Sequence, residues 1–261
     1  MKKLGFIAAF FFLLLPHSFS QGEIDDQLKL FFRNEQTFGG IISSTGYGAS
    51  FRYGKRINFF NSRLFEGSIN IIKHPKEIKG SNPIFPNSKR FVFGKENFFF
   101  NIQASYGFQR IKFKKKDKGG IEVRFLYAAG ISLGFIKPVY YEVLVPVSLY
   151  EYKIETEKFN PSLHTPYDIY SRASFFTGFS ELKVAPGLNG KFGISFEFGK
   201  ADPVISVIEV GASIDLYTRE IPIMASDDNR FFFPAIYASF RFGKVIDKRS
   251  QAKIDYLQNQ Q

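Results

Sequence analysis

The residues with the means to do chemistry in this chain are seven charges set among alternating apolar and small residues: Glu66, Glu122, Glu197 and Glu209, with Arg52, Arg124 and Arg241. Brought together, four carboxylates and three guanidiniums could line an ion path or form a catalytic carboxylate set; they could equally be salt bridges that hold a narrow interior shut. An unpaired buried charge is costly, so their near-balance favours pairing. Lys191 and Asp215 fall on the same side of their own segments and could extend the network. Beyond the N-terminal leader the histidines are His74 and His164, with no serine and acid placed beside them by spacing to make a nucleophile and base. Phosphate-cradling glycine loops, a His-Glu-x-x-His pair and calcium loops are missing from the sequence. Gly119 and Gly120 follow a lysine-rich stretch and read as hairpin residues. Neither a cofactor nor a metal is expected, and the chain reads as a non-enzyme.

What must position the seven charges is a set of strands, because apolar residues recur with a period of two. Phe98, Phe100, Ile102, Ala104, Tyr106 and Phe108 oppose Asn101, Gln103, Ser105 and Gly107. From Val123 to Phe135 the alternation holds throughout, and Leu188 to Phe198, Ile208 to Leu216 and Ile236 to Phe242 repeat it. Tyr47 to Tyr53 and Phe65 to Ile71 add two upstream strands, and a less regular one within Leu28 to Ile42 brings the count to eight. A soluble sandwich would put Lys, Glu and Thr on its wet face. Here the polar face is mostly Gly, Ser, Ala, Asn and Gln, small enough for a crowded barrel interior. The strands also match the ~9 to 11 residues that cross a bilayer at a tilt. The fold expected is therefore an all-β, transmembrane, antiparallel up-and-down β-barrel of about eight strands.

Composition fits that fold. The 261 residues include 34 Phe and 13 Tyr but no Trp and no Cys. A compact soluble core would mix in more Leu, Val and Ala, and the lack of cysteine excludes disulfides, thiol catalysis and thiolate metal sites. Lys2 and Lys3, an apolar run from Leu4 to Leu15, and Ser18 and Ser20 read as a signal peptide cut after Ser20. Its loss would lower the net charge from +11 to +9. The expected division is leader 1–20, barrel 21–243 and a short periplasmic tail 244–261, located in the outer membrane of a diderm bacterium.

Connection lengths set the topology, since such barrels keep short turns inside and long loops outside. The gaps at Lys73 to Glu96, Lys137 to Ala185 and Thr218 to Arg230 fall outside; Asn58 to Asn61, Lys112 to Gly120 and Lys200 to Pro203 fall inside. The outer gap from Lys137 to Ala185 far exceeds the ~12 to 15 residues beyond which structureless loops are uncommon. Tyr140, Tyr141, Val143, Val145 and Val147 extend strand character into it, and Phe175, Phe176, Phe179 and Leu182 are candidates either to cap the barrel or to meet a partner. Deleting Thr156 to Arg172 is expected to leave the barrel intact.

The segments Gly130-Ile-Ser-Leu-Gly-Phe-Ile-Lys-Pro-Val-Tyr-Tyr-Glu142, Pro186-Gly-Leu-Asn-Gly-Lys-Phe-Gly193 and Ile221-Pro-Ile-Met224 resemble a family of uncharacterised outer-membrane β-barrels of diderm bacteria. The resemblance covers most of the mature chain and carries no enzymatic motif. It implies a barrel that serves as an accessory of an envelope assembly or secretion machine.

Positive charge suggests phosphate-bearing partners. Lys112, Lys114, Lys115, Lys116 and Lys118 crowd an inner turn, where phospholipid headgroups or a protein would meet them. Lys73, Lys76, Lys79, Lys89 and Arg90 stud an outer loop, within reach of lipopolysaccharide phosphates. Nucleic acid has no routine place in that compartment. Three function classes follow: a structural or accessory interaction subunit with envelope protein partners, a narrow porin-like channel, and a membrane-embedded enzyme acting on lipid or lipopolysaccharide. An eight-stranded lumen is filled by side chains, which favours the first.

Overall fold

The computed structural model describes residues 33–115, 120–148, 151–198, 204–225 and 229–247; the expected leader and most of the tail lie outside them. Strands follow in the order β1 (Arg33–Ser43), β2 (Gly46–Arg56), β3 (Asn61–Ile72), β4 (Lys79–Gly80), β5 (Phe91–Val92), β6 (Asn97–Phe113) and β7 (Glu122–Pro138). They continue with β8 (Tyr140–Pro146), β9 (Tyr152–Lys158), β10 (Ile169–Arg172), β11 (Lys183–Phe198), β12 (Val204–Ile221) and β13 (Arg230–Asp247). Eight of these close into a barrel in the order β1-β13-β12-β11-β7-β6-β3-β2. Every neighbouring pair is antiparallel, and the seam runs from Arg33 opposite Asp247 to Ser43 opposite Tyr237. The last strand thus passes the expected boundary at 243.

Closure follows from what alternation puts on each face. Outward positions such as Phe38, Ile69, Ile131, Phe192, Ile236 and Phe240 expose between 51% and 75% of their surface, while Glu209 and Arg241, facing inward, expose 0% and 1%. This inverts the pattern of a soluble protein and needs an apolar medium around the barrel. Among the described residues no helix is long and apolar enough to cross a membrane, so any crossing falls to the strands.

The wall is uneven. β1 to β3 are 11 or 12 residues long, whereas β6, β7, β12 and β13 reach 17 or 18. The β2–β3, β6–β7 and β11–β12 connections and both described ends share one mouth of the barrel; the long connections share the other, together with the two-residue β1–β2 hairpin at Ser44 and Thr45. Above that second mouth, β10-β8-β9 form a three-stranded sheet and β4-β5 a small ribbon. Strand character does continue at Tyr140 and Tyr141, but in a sheet of its own.

Candidate functional site

The lumen is filled in layers. Nearest the short-turn mouth, Arg124 on β7 donates to Glu122 at 2.5 Å, to Glu35 on β1 at 2.7 Å, and to Glu197 on β11. Lys115, from the basic turn, reaches the other Glu197 oxygen at 3.1 Å, and Arg56 stands 3.9 Å from Glu35. A second layer centres on Arg52, which donates to Glu66 at 2.6 Å and grips both oxygens of Glu209 at 2.6 and 3.1 Å. Lys191 bridges the same two acids at 2.9 and 3.2 Å. Arg241 donates to Ser50 and Thr37 and keeps 3.9 Å from Glu66. The structure places Arg52, Glu66, Glu122, Arg124, Glu197, Glu209 and Arg241 in the lumen, all buried, with Arg241 Nη2 left without a hydrogen-bond partner among the described residues.

Above the ion pairs the lumen is lined by amides, hydroxyls and one acid. Asp215 accepts from Gln103 at 2.7 Å and Asn101 at 3.2 Å, so amides hold it instead of the cation its position suggested. Asn101 also donates to the Tyr217 hydroxyl, and Ser105 donates to Asn189. Ile72, Phe99, Ile136, Ile221, Ile223 and Met224 then pack with Ala185 and Tyr217 as an apolar lid at the long-loop mouth. Two internal spaces lie below the lid, one of about 20 Å³ between the charge layers and one of about 50 Å³ beside Asp215. The first has room for about one water and the second for a few.

Small residues make room for a contact between neighbouring strands. Tyr237 on β13 donates to Glu209 on the adjacent β12 at 2.9 Å. A Cβ at Gly193 would stand 2.4 Å from the Tyr237 hydroxyl, and one at Gly211 would stand 2.9 Å from it.

The two longest outer connections fold together. Asn82, fully buried, donates to the carbonyls of Tyr167 and Ile169 and accepts from the amides of Ile84 and Phe85. Tyr141 donates to the Val92 carbonyl at 2.6 Å, and burial pushes its hydroxyl pKa up. Phe91, Tyr141, Val143, Phe159 and Ile169 form this unit's core. Deletion of Thr156 to Arg172 would therefore remove β10 and two of the five core residues, Phe159 and Ile169, so it would disrupt the outer unit while leaving the barrel strands in place.

The outer aromatics do not cap the lumen. Phe175, Phe176 and Phe179 cluster with ring centroids 5.5 to 6.2 Å apart and stay 50%, 79% and 39% exposed, with Leu182 half-buried beside them. Capping belongs to the apolar lid, and these rings face outward. On the inner turn Lys112 is exposed and Lys114 lies over the Phe59 ring at 4.4 Å, while Lys115 is drawn into the lumen. Lys116 and Lys118 lie outside the described residues.

The histidines serve their own loops. His164 accepts from the Asn160 amide at Nδ1, which leaves Nε2 to donate to Glu157 at 3.2 Å, and His74 accepts from the Lys76 amide. Among the described residues no group of three or more His, Asp or Glu could hold a metal ion.

No family model matches this chain, and no curated protein matches it. Among solved structures, Neisserial surface protein A (NspA) is similar at 7% identity and a TM-score of 0.38, over 81% of this chain and 96% of that one. Ail, the attachment invasion locus protein of Yersinia pestis, crystallised with the heparin analogue sucrose octasulfate, is 8% identical with a TM-score of 0.37, over 82% and 97%. The fold assignment rests on the closed strand order and not on these likenesses.

Proposed function

We propose that this protein is a non-conducting, non-catalytic barrel of the bacterial outer membrane, acting as a structural or accessory interaction subunit of an envelope assembly through its folded outer module. One observation carries the reading: the lumen is filled from mouth to mouth by two charge layers, an amide layer and an apolar lid, while the outer connections are built into a packed unit with exposed aromatics. A filled eight-stranded lumen leaves its surfaces as the working parts. Large exposed apolar patches on a folded unit are what partner surfaces offer.

Planar-bilayer recording of the refolded protein tests the first half. No stable openings are expected; reproducible openings altered by E209A would establish the channel instead. For the second half, Phe175→Ser, Phe176→Ser and Phe179→Ser together should keep heat-modifiable migration but lose the partners recovered from native membranes. Unchanged recovery would remove the aromatic cluster from the interaction. Because the three rings are exposed, this variant replaces the deletion that would break the outer core.

A further inference from the structure

Outside the lumen, a cavity of about 420 Å³ lies at the long-loop rim, between the barrel wall and the overhanging outer unit. Its volume is that of a small-molecule site. Three of its lining residues, Tyr47 on β2, Phe98 on β6 and Lys137 on β7, occupy outward register positions, so the cavity is built on the lipid-facing side of the wall.

Cations dominate it. Lys73, Lys79, Lys89 and Arg90 enter from the connection between β3 and β6, with Lys95 deeper in the same connection. Lys137 and Arg172 come from the other side. Against these seven stands, among the described residues, one lining carboxylate, Glu77, already committed to Lys95 at 2.6 Å. Among the described residues Lys79, Lys89, Arg90 and Arg172 have no carboxylate at ion-pair distance. Lys137 is held by the carbonyls of Pro138 and Thr177 and lies over the Phe175 ring. Burial, and the neighbouring Lys73 and Lys79, pull the Lys95 pKa down against the pull of Glu77.

Such an excess of positive charge in a recess calls for a multivalent anion, and the arginines suit oxyanions that can accept two parallel hydrogen bonds. The rings say what else the ligand carries. Lys73 lies over Tyr47 at 4.8 Å and Lys95 over Phe98 at 5.3 Å, leaving amphipathic walls suited to a sugar ring. Below Phe98, Phe100 follows at 6.1 Å and stacks on Phe135 at 5.0 Å, so the floor of the cavity runs directly into the lipid-facing stripe. Polar headgroup above and acyl chains below is the layout of a membrane interface.

We propose that this rim cavity binds one outer-leaflet glycolipid, seating its phosphorylated saccharide headgroup among the lysines and arginines and its acyl chains along the Phe98, Phe100 and Phe135 stripe. The proposal rests on the long connections facing outward, as in the reading above. That placement is tested separately by labelling Asn87→Cys in intact cells with an impermeant maleimide, since the natural chain has no cysteine. Labelling only after lysis would sink the orientation and this proposal together, whereas openings in a bilayer would sink the sealed-lumen reading and leave this one standing.

The direct experiment places the purified full-length protein in phosphatidylcholine nanodiscs with a trace of bis-phosphorylated lipid A and reads retention by native mass spectrometry. Lipid A should be retained at least tenfold over both its dephosphorylated form and phosphatidylglycerol added at the same total charge. K89Q/R90Q/R172Q, all exposed positions, should lose at least tenfold in retention while K112Q/K114Q at the opposite mouth loses none. R90Q alone, should the triple variant fold poorly, should lose a measurable fraction of that. Equal retention of phosphatidylglycerol or of the dephosphorylated glycolipid overturns the proposal, as does an unchanged triple variant. Competition by soluble glucose 1-phosphate, or by a sulfated oligosaccharide, at the affinity of the lipid would overturn the lipid occupant in favour of a free glycan.

Discussion

Lumen and rim use the same side chains to opposite ends. Inside, each lysine or arginine of the charge layers stands near carboxylates: Arg124 against three, Arg52 and Lys191 against the same two. Outside, among the described residues, seven cations line the cavity with one acid that is already engaged. Balanced charge in a low-dielectric interior holds strands in register, whereas excess charge beside solvent is a standing attraction for an anion. What separates a brace from a binding site here is the count of acids and not the identity of the bases.

The sharpest way to break the contrast is to remove one brace. Arg124→Ala should leave Glu35, Glu122 and Glu197 short of their shared partner and cost about 3 to 5 kcal/mol, read as a lowered urea midpoint of the folded barrel. The triple glutamine variant at the rim should cost under ~0.5 kcal/mol, as exposed substitutions do. Equal effects would dissolve the distinction. A smaller loss, about 1 to 3 kcal/mol, is expected when Gly193→Val pushes Tyr237 off Glu209, with the Tyr237 fluorescence environment as a second readout. Smaller again, Tyr141→Phe should cost about 1 kcal/mol and act locally: faster hydrogen exchange in the outer unit, with barrel strands unmoved.

The smallest effect is a pH dependence. Lys95 is buried at the rim, and its folded pKa lies below the ordinary lysine value near 10.5. Between the two values the unfolded chain binds more protons, so rim stability rises with pH through that window. Glu77→Gln removes the charge that props the folded value up, so it should carry the window to lower pH. Exchange rates around Phe91 and Val92, measured across alkaline pH, check the sign; a rim that loosens as pH rises through the window contradicts it.

Much of the barrel was legible because a two-residue period, read once, assigns every side chain of a strand to a face. That is why Arg52, Glu66, Glu122, Arg124, Glu197, Glu209 and Arg241 could be placed inside before any pairing was known. Glu35 was missed because β1 breaks the pattern, with Ile41 inward and Gly40 outward. Lys115 was read as a headgroup ligand because its turn looks solvated; only the fold brings it over Glu197. The lid escaped notice because Phe99, Ile136, Tyr217 and Ile221 are apolar residues on a face otherwise polar, near strand ends where alternation lapses. The rim cavity joins residues from Tyr47 to Phe175, and no local spacing announces such a gathering.

The seam between β1 and β13 adds a lesson about time. It joins the first described strand to the last, and Thr37 meets Arg241 204 positions away in sequence. Contacts of that span are slow to form, and Arg52 cannot hold Glu209, 157 positions distant, until β2 and β12 have been brought round to one interior. An arrested sheet lacking either edge strand would present two open edges and a row of unmatched charges to the bilayer. Partial assembly is thereby penalised strand by strand, and the closed ring becomes the first species in which Arg124 and Arg52 hold all their carboxylates: the ion pairs act as a proofreading step on completeness.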